Sequence, residues 1–70
     1  MQINFVDEND REFSLDLESA DTILNVKSRI ADNTGVSIDR IRLVYNGKVL
    51  DEGLTLGVYN IADGATINIV

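Results

Sequence analysis

The sequence predicts an α+β domain in which one helix lies across one face of a mixed five-stranded sheet. One amphipathic stretch occupies residues 22–35, and the segments on both sides of it alternate between apolar and polar residues. The chain has 70 residues and no cysteine, so one small hydrophobic core must stabilise it without disulfides. We therefore expect residues 1–70 to form a single domain.

The predicted helix has a recognisable start, buried face and end. Three apolar residues recur at the spacing of one helical face: Ile23, Val26 and Ile30. Thr22 suits the N-cap, and Gly35 suits the left-handed residue that ends many helices. Lys27 falls on the same arc, so its ammonium group needs a carboxylate nearby.

Two alternating runs before the helix predict a β-hairpin with one buried face. Residues 1–6 and 13–17 alternate around the charged segment DENDRE. Asn9 and Asp10 tolerate the left-handed backbone that such turns require.

Three further strands are predicted after the helix. We expect Val36 and Ile38, in the connection after the helix, to contact the core. The elements expected next are strands at 40–45 and 48–50, a tight helical turn at 54–59 and a strand at 66–70. Asn46-Gly47 predicts a hairpin turn, because both residues accept positive φ. A right-handed crossover would place the last strand parallel to the first, which is the arrangement of a β-grasp fold.

The composition argues against several functions. Twelve acidic and six basic residues give a net charge of −6, which repels nucleic acid phosphates. The absence of histidine and cysteine removes thiolate catalysis and the common zinc sites, and we expect no metal or cofactor. No apolar run reaches the roughly 18 residues of a membrane helix. We expect a monomeric, non-catalytic domain of the cytoplasm or nucleus that binds protein and neither nucleic acid nor membrane.

Two pairs of acids are the only approach to a catalytic motif. Asp7-Glu8 and Asp51-Glu52 both fall in predicted turns. We interpret them as solvated turn residues rather than acid–base catalysts, and an enzyme fragment is the remotest alternative.

Three valines interrupt the polar side of the predicted strands: Val6, Val44 and Val70. If the first and last strands are neighbours and the strand at 40–45 lies beyond them, these valines form one surface. Val49 would extend it, with Arg42 and Lys48 at the rim. The alternative is that single exposed valines are common on strands and have no function.

Motifs along the whole chain resemble those of the ubiquitin family. They are MQI, then DTI-x-NVK-x-x-I-x-D-x-x-G, then RL-x-x-x-GK-x-L-x-x-G-x-TL-x-x-YNI. The match runs from Met1 to Val70 without a gap. The segment RLVYNGKVL is closer still to the ubiquitin-like domains at the N-termini of proteasome shuttle proteins.

The resemblance implies a binding patch and its partners. The leucine, isoleucine, histidine and valine of the family's apolar patch fall on Glu8, Val44, Asn68 and Val70. Together with the valine pattern, this predicts the following protein-binding residues: Val6, Arg42, Val44, Gly47, Lys48, Val49, Asn68 and Val70. The implied partners are ubiquitin-binding helices and proteasome receptor subunits.

Differences from the family help to distinguish an interaction domain from a conjugated modifier. Its modifiers end in a Gly-Gly tail that is conjugated, and nothing follows Val70 here. We therefore expect an interaction domain that recruits proteasome subunits or ubiquitin receptors. A modifier truncated before its tail is the alternative.

Lysines at two of ubiquitin's chain-linkage positions are retained, Lys27 and Lys48. By the pairing usual in the family, we expect an acid of the 51–52 turn to hold Lys27, Glu52 rather than Asp51. For Lys48 we favour a place at the rim of the binding patch over use as a conjugation acceptor.

Three apolar residues stand where ubiquitin is charged: Leu24, Leu54 and Val58. Ordinary local packing is the simpler interpretation. The alternative is a contact with the rest of a longer protein.

Overall fold

A computed structural model describes all of residues 1–70. Its elements are β1 (Gln2–Val6), β2 (Glu12–Asp16), α1 (Ile23–Thr34), a 3₁₀ turn (Ile38–Arg40), β3 (Leu43–Tyr45), β4 (Lys48–Val49) and β5 (Thr66–Ile69). The strand order in the sheet is β2-β1-β5-β3-β4. β1 and β5 are parallel, and the other neighbouring strands are antiparallel. The predicted β-grasp topology, with the last strand beside the first, is confirmed.

The core lies between the helix and the inner face of the sheet. It contains twelve buried apolar residues: Ile3, Phe5, Leu17, Ile23, Val26, Ile30, Ile41, Leu43, Leu50, Leu56, Ile61 and Ile67. The ring of Phe13 on β2 stacks on that of Phe5 on β1, with ring centroids 5.4 Å apart. Each fully buried side chain of this kind stabilises the fold by roughly 1.5–3 kcal/mol relative to exposure.

Both ends of the helix form as predicted. The Thr22 hydroxyl oxygen accepts a hydrogen bond from the Asn25 N–H at 3.2 Å. Gly35 has φ of 79°, and its N–H donates to the Ala31 carbonyl at 2.8 Å. This helix, like the short 3₁₀ turn, is not long and apolar enough to cross a membrane.

The connection after the helix differs from the prediction. Val36 was expected to contact the core but is exposed, and Ile38 is only partly buried. The strand expected at 40–45 begins at Leu43. The strand begins late because residues 38–40 form the 3₁₀ turn, which the Ile41 N–H closes by donating to the Ile38 carbonyl at 3.0 Å.

The helical turn expected at 54–59 does not start at Leu54, which is a bend, and Thr55 forms a β-bridge. The Gly57 N–H, which a helical turn starting at Leu54 would have used, donates to the Ser19 carbonyl at 2.9 Å. The turns therefore run from Leu56 to Asn60, with a hydrogen bond from the Asn60 N–H to the Gly57 carbonyl at 3.0 Å. Asn60 itself is left-handed, with φ of 58°.

Both hairpin turns contain residues with a left-handed backbone. Asn46 and Gly47 both take positive φ, 51° and 76°, as predicted for the β3–β4 turn. In the β1–β2 turn, Asp10 is left-handed with φ of 61°, whereas Asn9 is not. The Asp7 carboxylate holds this turn by accepting from the Asn9 N–H at 2.9 Å.

The open end of the β1–β2 hairpin is held by the amino group of Met1. This group donates to the Asp16 carboxylate at 3.0 Å and to the Leu17 carbonyl at 2.7 Å. The hydrogen bond that this amino group donates to the Asp16 carboxylate raises the pKa of the amino group above its ordinary value.

Lys27 is the one charged residue that is buried, with 8% of its surface exposed. Its Nζ lies 3.1 Å from Glu52 Oε2, which confirms the expected pairing. The carboxylate of Asp51 instead accepts from the Gly53 N–H at 2.8 Å. Glu52 is half-exposed, so the pair reaches solvent on the acid's side.

We predict that Glu52→Ala lowers the free energy of unfolding by about 1–2 kcal/mol, because it leaves a buried ammonium group without its partner. Lys27→Met should cost less, since methionine fills the space without a charge. Urea denaturation of both variants measures the difference. As a control, Asp32→Ala removes an exposed carboxylate and should change the free energy by less than about 0.5 kcal/mol. Equal losses in the two variants would contradict the assignment.

A second prediction concerns Gly35. Gly35→Ala should cost about 1 kcal/mol, because alanine is strained at this positive φ. A Cβ at this position would meet no atom within 4 Å, so the loss reports backbone strain alone. The matched control is Gly53→Ala, whose φ is outside the left-handed region and whose Cβ would make only an ordinary contact of 3.4 Å. A neutral Gly35→Ala in the same denaturation experiment would refute the strain.

Candidate protein-binding surface

The outer face of the sheet, opposite the helix, carries a row of side chains across all five strands. Paired residues on neighbouring strands direct their side chains to the same face. The register places the following residues side by side: Glu12, Val6, Asn68, Val44 and Val49. With strands about 4.8 Å apart, the row extends about 14 Å from Val6 to Val49. The expectation that Val6 and Val44 lie on one surface is confirmed, with Asn68 between them.

Four valines form an apolar patch at one end of this otherwise polar side of the sheet, and we call Val6, Val44, Val49 and Val70 the valine face. Val49 and Val70 are 57% and 45% exposed, while Val6 and Val44 are partly buried. Val70 lies one position beyond the row. Its N–H donates to the Arg42 carbonyl at 2.9 Å, and its carbonyl accepts from the Arg42 N–H at 3.3 Å.

The charge around the valine face differs between its two ends. Arg42 is exposed beside Val70, and Arg40 lines the same shallow depression as Arg42. At the opposite end, Glu12 pairs with Val6. The exposed Glu8 lines one depression with Arg40 and Val70, and Glu52 lines the depression beside Arg42. The valine face therefore has Arg42 on the side of β3 and Glu12 on the side of β2, with acids near both.

Not all of the predicted site residues share this face. Lys48 pairs with Tyr45 in the β3–β4 ladder, so alternation assigns it to the side of the sheet that carries the helix. Gly47 belongs to the hairpin turn. Both lie at the edge of the sheet beside Val49.

Glu12 is not among the site residues predicted from the sequence, although it lies in the same row as the valines. A signal was available, because counting outward from the β1–β2 turn pairs Glu12 with Val6. The remaining polar groups are not arranged as a metal site, since the structure has no cluster of three or more possible ligands.

A β-grasp fold with an exposed apolar face on its sheet defines the class of ubiquitin-like domains. Comparison with known protein families agrees. The sequence model of the ubiquitin family matches residues 3–70. The chain belongs to the ubiquitin family.

Relatives of two different lengths are similar to this chain. Ubiquilin from Dictyostelium discoideum is 31% identical over 70 residues, which are all of this chain and 13% of that protein. The NEDD8-like protein RUB3 from Arabidopsis thaliana is also 31% identical over 70 residues, which are 90% of that protein. UV excision repair protein RAD23 from Saccharomyces cerevisiae is 38% identical over 50 residues, or 71% of this chain and 13% of that protein. The chain thus resembles both a short relative and small parts of long ones.

Proposed function

We propose that this chain is a non-catalytic interaction module that recruits proteasome subunits or ubiquitin receptors through the valine face. The observation that carries the proposal is the register, which aligns Val6, Val44 and Val49 on the exposed side of the sheet. A contiguous exposed apolar surface on a small domain is typical of a protein-binding site. The positions of the family's apolar patch, Val44 and Val70, belong to the same surface.

A helix with a narrow apolar stripe fits this surface in spacing. Apolar residues at i, i+3 and i+4 advance about 4.5–6 Å along a helix axis, close to the distance of about 4.8 Å between strands. Asn68 lies between Val6 and Val44 in the row, so Val44 is two strand spacings from Val6. A helix lying across the strands therefore sets apolar side chains about seven and ten residues apart along the helix against Val44 and Val49 when its first apolar side chain lies against Val6. This is the helix-in-groove mode of recognition.

The charged residues around the valine face determine which helices it binds. Arg42 favours a helix with acidic residues over β3, and this attraction weakens as salt increases. Glu12 repels acids placed over β2, and Glu8 repels acids placed beside Val70. The replacement of the family's leucine by Glu8 also removes apolar area. We therefore expect weaker binding, or a narrower choice of partners, than ubiquitin has.

A truncated ubiquitin-like modifier is the second candidate. The observation in its favour is the identity with RUB3 over 90% of that protein. The residues encoded after Val70 distinguish the two candidates: Gly-Gly and a stop favours a modifier, and a long continuation favours a module. For either one we propose the cytoplasm or nucleus, because a chain without cysteine suits a reducing compartment.

An NMR titration with a ubiquitin-interacting helix from a proteasome subunit tests the proposal. Chemical shift changes should gather at residues 6, 42–44, 47–49 and 68–70. Val44→Ala should weaken binding at least about fivefold, as expected for a central contact. Val49→Ser, at a strongly exposed position, tests the same face without a risk to folding. Val58→Ala removes an exposed valine elsewhere and should leave the affinity unchanged. Shifts gathered instead around Leu24 and Ser28 would show that the site is wrong.

The charge asymmetry makes its own prediction. Arg42→Glu should weaken binding of the same acidic helix severalfold, whereas Glu12→Lys should strengthen it. Both effects should shrink when the titration is repeated at about 1 M salt, where the screening length falls to about 3 Å. Changes in the same direction for both variants would contradict the proposed orientation of charge.

A further inference from the structure

A second group of exposed apolar side chains lies at the N-terminal end of the helix. Leu24, Leu54 and Val58 are 47%, 39% and 61% exposed. None of them belongs to the sheet, and none contributes to the core. We call these three residues the leucine surface.

Backbone hydrogen bonds bring Leu24 and Leu54 together from distant parts of the chain. The Ile23 N–H donates to the Leu54 carbonyl at 2.8 Å, and the Leu24 N–H donates to the Glu52 carbonyl at 3.2 Å. These contacts satisfy two of the free N–H groups of the first helical turn. The segment that carries Leu54 is therefore attached to the start of the helix.

Val58 is held on the same segment. Its N–H donates to the Thr55 hydroxyl oxygen at 3.2 Å, and Thr55 forms an isolated β-bridge with Thr22. Gly57 packs so closely that a Cβ on it would lie 3.2 Å from the Ser19 carbonyl oxygen. The backbone that carries the leucine surface is therefore held in place, so a partner would lose little free energy in ordering that backbone.

The charge around the leucine surface is negative. Residues 18–28 and 51–60 contain four acids: Glu18, Asp21, Asp51 and Glu52. Lys27 is the only basic residue in these two segments, and it is buried against Glu52. The valine face, in contrast, has the exposed Arg42 at one end.

We propose that the leucine surface is a second docking surface, for a basic protein segment that carries two or three apolar side chains. The apolar side chains of the segment would cover Leu24, Leu54 and Val58, and its lysines or arginines would face the surrounding acids. Its chemistry is opposite to that of the helix proposed for the valine face. The two surfaces therefore select different partners.

The test uses two synthetic helical peptides with the same leucine stripe, one flanked by lysines and the other by glutamates. In ¹⁵N NMR titrations of the complete chain, the lysine peptide should shift residues 24 and 52–58. Val58→Ser should weaken this binding at least about fivefold, because it removes apolar contact area. Val49→Ser is the matched control on the valine face and should not change it. Leu24→Ser gives a second variant at an exposed position, with the same expected loss.

Four results would overturn the proposal. Three of them concern the lysine peptide: it leaves residues 24 and 52–58 unshifted, it binds Val58→Ser and Leu24→Ser with unchanged affinity, or it shifts the valine face instead. Concentration-dependent sedimentation that disappears in Val58→Ser would show that a second copy of the chain occupies the surface. The glutamate peptide reports separately on the valine face, so either proposal can fail while the other stands.

Discussion

The parallel pairing of β1 with β5 is the contact on which the rest of the structure depends. It joins the two ends of the chain at the centre of the sheet and sets Phe5 beside Ile67 and Val6 beside Asn68. The first pair points into the core and the second pair points to the outer face. A shift of one residue would exchange these faces, so burial of Phe5 and Ile67 is what aligns the valine face.

The second organising contact is between the start of the helix and the segment 51–57. Carbonyl groups of Glu52 and Leu54 accept from the first helical N–H groups, and the Glu52 carboxylate pairs with Lys27. At the start of this segment, the Asp51 N–H donates to the Tyr59 hydroxyl oxygen at 2.8 Å. A segment without regular secondary structure is thereby held firmly enough to present side chains in defined positions.

These two contacts produce two apolar surfaces on one small domain. The valine face follows from strand register, and the leucine surface follows from loop attachment. Their surrounding charges differ, because Arg42 lies beside the first and the segments that carry the second contain four acids and one base. For a chain whose family membership points to protein binding, this difference gives each surface a distinct class of partner.

The sequence by itself determined the features that depend on neighbouring residues. Thr22 and Gly35 set the helix ends, Asn46-Gly47 set a hairpin turn, and alternation separated core residues from the valines. Tertiary structure decided the features that depend on distant partners. The Ser19 carbonyl takes the Gly57 N–H that a helical turn starting at Leu54 would have used. Ladder pairing turns Lys48 away from the valine face and adds Glu12 to its row. Local patterns do not encode such pairings, because the partners are brought together only by the folded chain.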